Sequence, residues 1–286
     1  MNPPPYRPPE GNKNPLVRQV LLASLVALPI VAVIVFAAFF AVHAEQKAAQ
    51  KRAALRDIKA SANQMHSNLK KNFDAKKGIT NVDFTDFNKF RDGLKGASQT
   101  FSGDDAIIAK VAAEYLDRIQ AAATNYQAAA VKLREARVLD KFDSSDKGQL
   151  AARRELVQQF MEANNALKQA ITGSEKKMRD DLIAAKIRDS KINSYMEEFH
   201  AAAAPKNALV IKIRQCDDRM GNAMLDALNT LETHWGHWKA EPRTGKILFE
   251  EAATLNAYNN DVAALQAAGE DQVKLQQILV NQSAVP

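Results

Sequence analysis

The chain has 286 residues, of which 25% are charged, and a formal net charge of +6 at pH 7. This length is enough for one or two domains with a hydrophobic core. The charges of both signs are interspersed, and no basic stripe with aromatic residues is present, which argues against nucleic-acid binding. The single cysteine, Cys216, excludes an intrachain disulfide and gives no evidence about the redox compartment.

The N-terminal region contains a long apolar segment. Residues 20–42, from Val20 to Val42, carry no charge and would form a helix of about 35 Å, enough to cross a hydrocarbon core of about 30 Å. We therefore predict a disordered proline-rich tail over residues 1–17 and a transmembrane helix over residues 18–43 that contacts the lipid bilayer. A signal peptide cleaved after Ala44 is the alternative, although the apolar run exceeds the roughly 7–15 residues typical of such signals.

The orientation of this span has two readings. Basic residues are more frequent after the span than before it, and a positive-inside count would place the large domain in the cytoplasm. Long domains nevertheless cross membranes largely regardless of charge. An N-terminal anchor followed by a large domain is typical of an exported, tethered protein, so we predict a single-pass membrane protein with an extracytoplasmic bulk domain.

The fold class follows from proline placement and helical periodicity. Only Pro205 and Pro242 occur between Ile30 and Val285, and no stretch alternates apolar and polar residues for long enough to predict a sheet. We predict an all-α fold over residues 44–282, an antiparallel multi-helix bundle with coiled-coil-like seams, followed by a frayed C-terminus over residues 283–286.

The clearest helix covers residues 104–140. Its apolar residues recur at alternating spacings of four and three, which predicts a packed seam. The seam residues are Ile108, Ala112, Tyr115, Ile119, Ala122, Tyr126, Ala129, Leu133 and Ala136.

Glycine and proline predict the other helix boundaries. The first bundle helix should end at Gly78, and a short helix should cover residues 83–94. Pro205 should open a helix after the one that covers residues 149–204, and a last helix should cover residues 246–282. Gly173 is either a turn between two antiparallel helices or a kink within one helix, and the sequence leaves both open.

Two histidines are the nearest approach to a metal site. His234 and His237 are three residues apart at a helix end, a spacing that allows them to share a metal ion. A complete site would need further ligands, for which His200 and Cys216 are the candidates. Cys216 lies on an apolar seam, however, where burial should raise the pKa of its thiol.

Two aromatic groups are candidates for docking a protein partner. Phe84, Phe87 and Phe90 repeat every three residues and lie roughly on one side of their short helix. Trp235 and Trp238 flank the histidines near the end of another helix. For both groups the alternative is structural, with the rings covering or filling the end of the bundle.

The remaining polar residues predict little chemistry. The adjacent pairs Asp180-Asp181 and Asp217-Asp218 are expected on solvated helix faces, because neighbouring side chains on a helix point about 100° apart. Asn164 falls at a seam position, where a buried asparagine could fix helix register. We predict no catalytic residue and no cofactor.

Taken together, these patterns predict a membrane-anchored, non-enzymatic helical bundle that acts as an interaction, scaffold or spacer module. Its partner would be another protein or a second copy of the chain. One alternative is a sensor domain that binds a metal or small ligand at the His234/His237 end of the bundle. Another is a cytoplasm-facing coiled-coil scaffold.

Overall fold

The computed structural model describes residues 49–76, 78–79, 85–140, 142–241 and 246–282. Several predicted features lie outside the described residues. These are the proline-rich tail, the span from Val20 to Val42, the cleavage site after Ala44, Phe84 and the C-terminal residues 283–286.

The described part of the chain is predominantly helical, which confirms the predicted all-α bundle. Its helices are α1 (Ala49–Asn72), α2 (Thr85–Thr100), α3 (Asp104–Glu135), α4 (Gly148–Thr172), α5 (Ser174–Ala184), α6 (Asp189–Thr233) and α7 (Ala252–Gln282). Two short antiparallel ribbons, which were not predicted, connect α1 to α2 and α6 to α7. In the first, β1 (Phe73–Asp74) pairs with β2 (Gly78–Ile79), and in the second, β3 (Trp238–Ala240) pairs with β4 (Ile247–Phe249). Strands of two or three residues are too short to show an alternating pattern.

The structure corrects the predicted membrane localisation. Among the residues that it describes, none of the helices is at once long enough and apolar enough to cross a bilayer. The long helices are amphipathic instead: α3, for example, buries Ile108 and Leu116 and exposes Lys110 and Glu114. The prediction of a single-pass membrane protein with an extracytoplasmic bulk domain is therefore not retained.

The helices follow one another around a single core. Helix α1 packs on α2, α2 on α3, α3 on α4, α4 on α6, and α6 on α7, while α7 also contacts α1 and β2. The short helix α5 contacts both α3 and α6. The buried apolar side chains form one continuous cluster to which all of these helices contribute.

Helix α3 follows a different period from the predicted seam. Its first half is buried as predicted, but Ala123 is buried where Ala122 was expected, and Ala122 is only half-buried. A strict seven-residue pattern drifts by about 20° per heptad on a straight helix. The buried residues Ile108, Ile119 and Ala130 are spaced by eleven instead, which keeps the buried face of a straight helix directed at its neighbours.

The turn after α4 comes later than Gly173. Gly173 keeps right-handed angles of φ −81° and ψ −5°, so it is a local break between α4 and α5 rather than a reversal. The chain turns at Lys186, whose φ is +60°. The Lys186 amide donates to Ile183 O at 2.9 Å, and the Ile187 amide donates to Leu182 O at 3.2 Å, the pattern of a Schellman C-cap. Glycine usually marks this position, so a lysine gave no sequence signal.

Helix α6 corrects the prediction that Pro205 opens a new helix. It runs without interruption for 45 residues, with Pro205 in its interior. Pro205 and Ala201 are both exposed, so water can satisfy the carbonyl that the missing proline N–H leaves without a donor. The buried residues Phe199 and Val210 hold the helix to the core on both sides of the proline.

Helix α2 also extends further than predicted. It continues beyond residue 94, where the predicted helix ended, through Gly96 to Thr100. Phe90, Leu94 and Ala97 form a continuous buried face on it. Packing of that face against α1 and α3 therefore outweighs the low helix propensity of glycine.

Candidate functional site

A buried ion pair lies where α3, α4 and α7 approach α6. Arg214 and Asp217, about one turn apart on α6, have 1% and 0% of their side chains exposed, and Arg214 Nη1 lies 3.0 Å from Asp217 Oδ2. The guanidinium carbon of Arg214 lies 4.3 Å from the ring centroid of Tyr126 on α3, a cation–π contact. Two opposite charges are thus enclosed in the core.

Asp217 also accepts hydrogen bonds from two other helices. The Tyr126 hydroxyl donates to Oδ2 at 3.1 Å, and Gln272 Nε2 of α7 donates to Oδ1 at 2.7 Å. Burial raises the pKa of Asp217 to about 6, although the Arg214 guanidinium and these hydrogen bonds oppose the shift. Burial, the largest single influence, lowers the pKa of Arg214, but the Asp217 carboxylate together with Tyr126 and Cys216 outweighs it and the pKa is raised. The pair is therefore charged at neutral pH.

Asn164 connects α4 to the same turn of α6. Its Nδ2 donates to Arg214 O at 2.9 Å and to Asp218 Oδ1 at 2.8 Å. Asn164 is fully buried, so it occupies the seam position expected of a register-fixing asparagine. Lys168, one turn further along α4, pairs with Asp218 Oδ2. We call Tyr126, Asn164, Arg214, Asp217 and Gln272 the polar centre.

The polar centre aligns four helices relative to one another. Hydrogen bonds constrain direction as well as distance, so sliding α3, α4 or α7 along α6 would leave buried polar groups without partners, which is costly. Asn164 Oδ1 and Gln272 Oε1 have no hydrogen-bond partner among the described residues. Since Arg214 and Asp217 are inaccessible, the centre is suited to fixing the structure rather than to reacting with a substrate.

Asp217 was predicted to lie on a solvated helix face, and the structure shows that this prediction is wrong. Val210, Asp217, Met224 and Leu231 are spaced by seven, and all four are fully buried. The spacing therefore carried a signal for burial that the polarity of the carboxylate obscured. Asp218, its neighbour, is half-buried.

His234 and His237 lie at the C-terminal end of α6, away from the polar centre. His237 is exposed, and its Nδ1 lies 2.9 Å from Glu250 Oε2. His234 is half-buried. Glu232, which the sequence places beside them, instead forms an ion pair with Arg154 of α4.

The structure does not bring the other suggested metal ligands to these histidines. Because α6 is continuous, His200 and Cys216 lie about 51 Å and about 27 Å along its axis from His234, at 1.5 Å per residue. In the part of the chain that the structure describes, no group of three or more His, Cys, Asp or Glu residues could hold a metal ion. Cys216 is buried, and burial raises the pKa of its thiol.

The aromatic docking candidates are mostly in the core. Phe87, Phe90 and Trp238 are buried, and Trp235 is half-buried with its ring 5.2 Å from that of Trp238. Phe84 lies outside the described residues. A docking role for these residues stays a prediction, and it requires rings that are now buried to become uncovered.

Comparisons with protein-family models, with curated proteins and with solved structures found no match to this chain. Its function is therefore inferred from the geometry of the bundle.

Proposed function

We propose that the protein is a non-enzymatic scaffold or spacer, a rigid helical bundle that holds interacting proteins, or copies of itself, at a fixed separation. The observation that carries this proposal is the length of α6. Its 45 residues correspond to about 67 Å at 1.5 Å per residue. Buried residues occur along it from Ile192 to Leu231, so the helix is supported over nearly its whole length.

Packing along α6 supports rigidity. Helix α5 contacts α6, as do α4 and α7, and the core around it is continuous. An unsupported helix of this length bends easily, and an interior proline is a usual site for a kink. Support on both sides of Pro205 opposes bending at the point where bending is easiest.

The polar centre supports a single alignment of the bundle. A spacer must have one length, and apolar seams alone permit neighbouring helices to shift register. Asp217 accepts hydrogen bonds from Tyr126 and Gln272, and Asn164 donates to the backbone of Arg214. A shift of any of these helices breaks at least one of those contacts.

The surface favours polar and reversible contacts with partners. Among the described residues, the large hydrophobic side chains that are strongly exposed are Ile183 and Ile278, at 52% and 42%, and they lie on different helices. An extended apolar patch would have indicated an obligate interface. The separate apolar residues of this surface instead suit a module that binds without being permanently assembled.

A distance measurement between spin labels tests the proposal. Labels would be attached at Ser190→Cys and Asn229→Cys, both exposed sites on α6, in a Cys216→Ala background of the full chain. The expected result is one narrow distribution centred near about 58 Å, the rise of 39 residues. Labels at Ala208→Cys and Asn229→Cys, both exposed and both on the C-terminal side of Pro205 about 32 Å apart, measure the width contributed by the labels themselves. A long-pair distribution much broader than the short-pair one, or one with two maxima, would contradict a rigid spacer.

A further inference from the structure

Arg153 of α4 holds the loop that connects α3 to α4. Its Nη1 atom donates at 2.9 Å to three carbonyl oxygens of the loop, those of Arg137, Val138 and Asp140. These carbonyls follow the C-terminal end of α3, where the helix dipole favours a positive charge. Arg153 is half-buried, which makes these charge-assisted hydrogen bonds stronger than they would be in water. One side chain thus binds three carbonyls of the loop.

The same guanidinium group lies against Phe142, an aromatic residue of the loop. The guanidinium carbon of Arg153 is 4.3 Å from the centroid of the Phe142 ring, a cation–π contact. The Phe142 ring in turn lies edge-on to the ring of Trp238 in β3, and their centroids are 6.0 Å apart. Both rings are buried, so this contact joins the loop to the ribbon formed by β3 and β4 in the interior of the protein.

Trp238 connects the ribbon to two helices. Its Nε1 atom donates to Leu231 O near the end of α6 at 2.8 Å. Its partner across the ribbon is Phe249 of β4, and the Phe249 ring centroid lies 5.4 Å from that of Tyr258 in α7. Leu231, Phe249 and Tyr258 are all buried. A continuous series of contacts therefore runs from the α3–α4 loop through Arg153 and Trp238 to α6 and α7.

We propose that the α3–α4 loop and the ribbon of β3 and β4 open and close as one unit, which we call the clasp, held by Arg153, Phe142 and Trp238. Moving the loop alone would take the carbonyl acceptors away from Arg153 and the Phe142 ring away from Trp238. Moving the ribbon alone would break the same ring contact from the other side. Contacts that depend on one another in this way open cooperatively, as a local unit of the structure.

Opening of the clasp has a consequence for the two tryptophans. The ring of Trp235 lies 5.2 Å from that of Trp238, and Trp238 is covered by Phe142 of the loop and paired with β4. An open clasp would therefore expose both rings, whereas the closed clasp keeps Trp238 buried. The clasp would thus control access to two of the residues predicted to dock a protein partner.

Native-state hydrogen exchange, followed by nuclear magnetic resonance on the full chain, tests the clasp. The Trp238 indole N–H and the Glu250 amide, both hydrogen-bonded to carbonyl oxygens, report on the ribbon, and the Asp140 amide reports on the loop. The exchange rate of each proton follows the population of its open state. Arg153→Met keeps the apolar part of the side chain and removes its donors. All three exchange rates should therefore rise together, by about tenfold.

Arg154→Met is the matched control. Arg154 is the next residue of α4 and is also half-buried, but it pairs with Glu232 of α6 and not with the loop. Its substitution should change the three rates by less than about twofold. Equal effects of the two substitutions, or a rise confined to the Asp140 amide, would overturn the proposal. If circular dichroism shows Arg153→Met unfolded, Phe142→Leu, which removes the central ring of the clasp, takes its place with the same expected and contradicting outcomes.

Discussion

The core around α6 contains different kinds of side chain in its two halves. Around Phe199, in the N-terminal half, the core is aromatic: the ring centroid of Tyr115 lies 6.0 Å away edge-on, and that of Tyr195 lies 6.5 Å away in a stacked arrangement. Around Asp217, in the C-terminal half, the core is polar and charged. Phe199 and Asp217 are almost equally inaccessible to water.

The two halves therefore contribute differently to the fold: the aromatic half contributes mainly packing energy, and the polar half mainly determines how the helices align. Aromatic rings stabilise mainly through the area that they bury, and neighbouring rings accept several arrangements. A buried ion pair adds little net stability, because removing the charges from water costs about as much as their attraction returns. Its requirement for direction and partners instead penalises any other alignment. We infer that the aromatic half holds the bundle together and that the polar half sets its register.

The largest expected effect comes from removing the carboxylate of the polar centre. Asp217→Ala leaves the Arg214 guanidinium, the Tyr126 hydroxyl and the Gln272 amide without their buried acceptor. The free energy of unfolding should fall by about 3–5 kcal/mol at pH 7. Equilibrium unfolding in denaturant measures this change.

A double variant distinguishes the cost of leaving the Arg214 charge unpaired from the cost of the volume lost at Asp217. Arg214→Met combined with Asp217→Leu keeps the site filled and leaves no charge in it, so this protein should be more stable than Asp217→Ala. If both proteins lose the same stability, the charge is not what makes the polar half sensitive, and the contrast between the halves fails.

The next largest effect is a pH dependence of the free energy of unfolding that arises from Asp217 in the polar half. Burial raises the folded-state pKa of Asp217 from 3.8 to about 6, so the folded protein takes up this proton more readily than the unfolded chain. Protonation of Asp217 therefore adds to the free energy of unfolding. This contribution is fully present below about pH 4 and is lost as the pH rises through about 6. The stability difference between the unsubstituted protein and Asp217→Ala should therefore shrink by about 2 kcal/mol between pH 4.5 and 7.5.

Unfolding of both proteins at several pH values measures this change. Titrating groups that do not interact with Asp217 are common to the two proteins, so their contributions cancel in the difference. A difference that grows as the pH rises would mean that the ion pair favours the charged carboxylate more than burial opposes it.

The fold was predictable where it depends on periodicity. The all-α class and the burial of Ile108 and Ile119 followed from repeating apolar residues, since amphipathic helices must bury one face. The turn at Lys186 and the continuous helix through Pro205 were not predictable. In both cases tertiary packing outweighs the local conformational preference of one residue, and the neighbouring sequence does not indicate that packing.

The polar centre was only partly predictable. Asn164 was recognised because a polar residue interrupts an apolar seam there. Asp217 was missed because a carboxylate beside a second carboxylate usually indicates solvent, although its seven-residue spacing from Val210 and Met224 indicates the core. Tyr126 and Gln272 lie 91 and 55 residues from Asp217, and a single sequence does not show that such distant residues meet.

The smallest expected effect tests the aromatic half. Phe199→Leu keeps an apolar side chain beside Tyr115 and Tyr195 but replaces the ring with a smaller group, and the neighbouring rings can move to fill part of the difference. The free energy of unfolding should fall by about 1–2 kcal/mol, well below the loss expected for Asp217→Ala on the same helix. Denaturant unfolding of the two variants under identical conditions gives the comparison. If Phe199→Leu lowers the free energy of unfolding by as much as Asp217→Ala, the aromatic half restricts the arrangement of the helices as strongly as the polar half does. Register would then be set along the whole of α6 rather than at the polar centre.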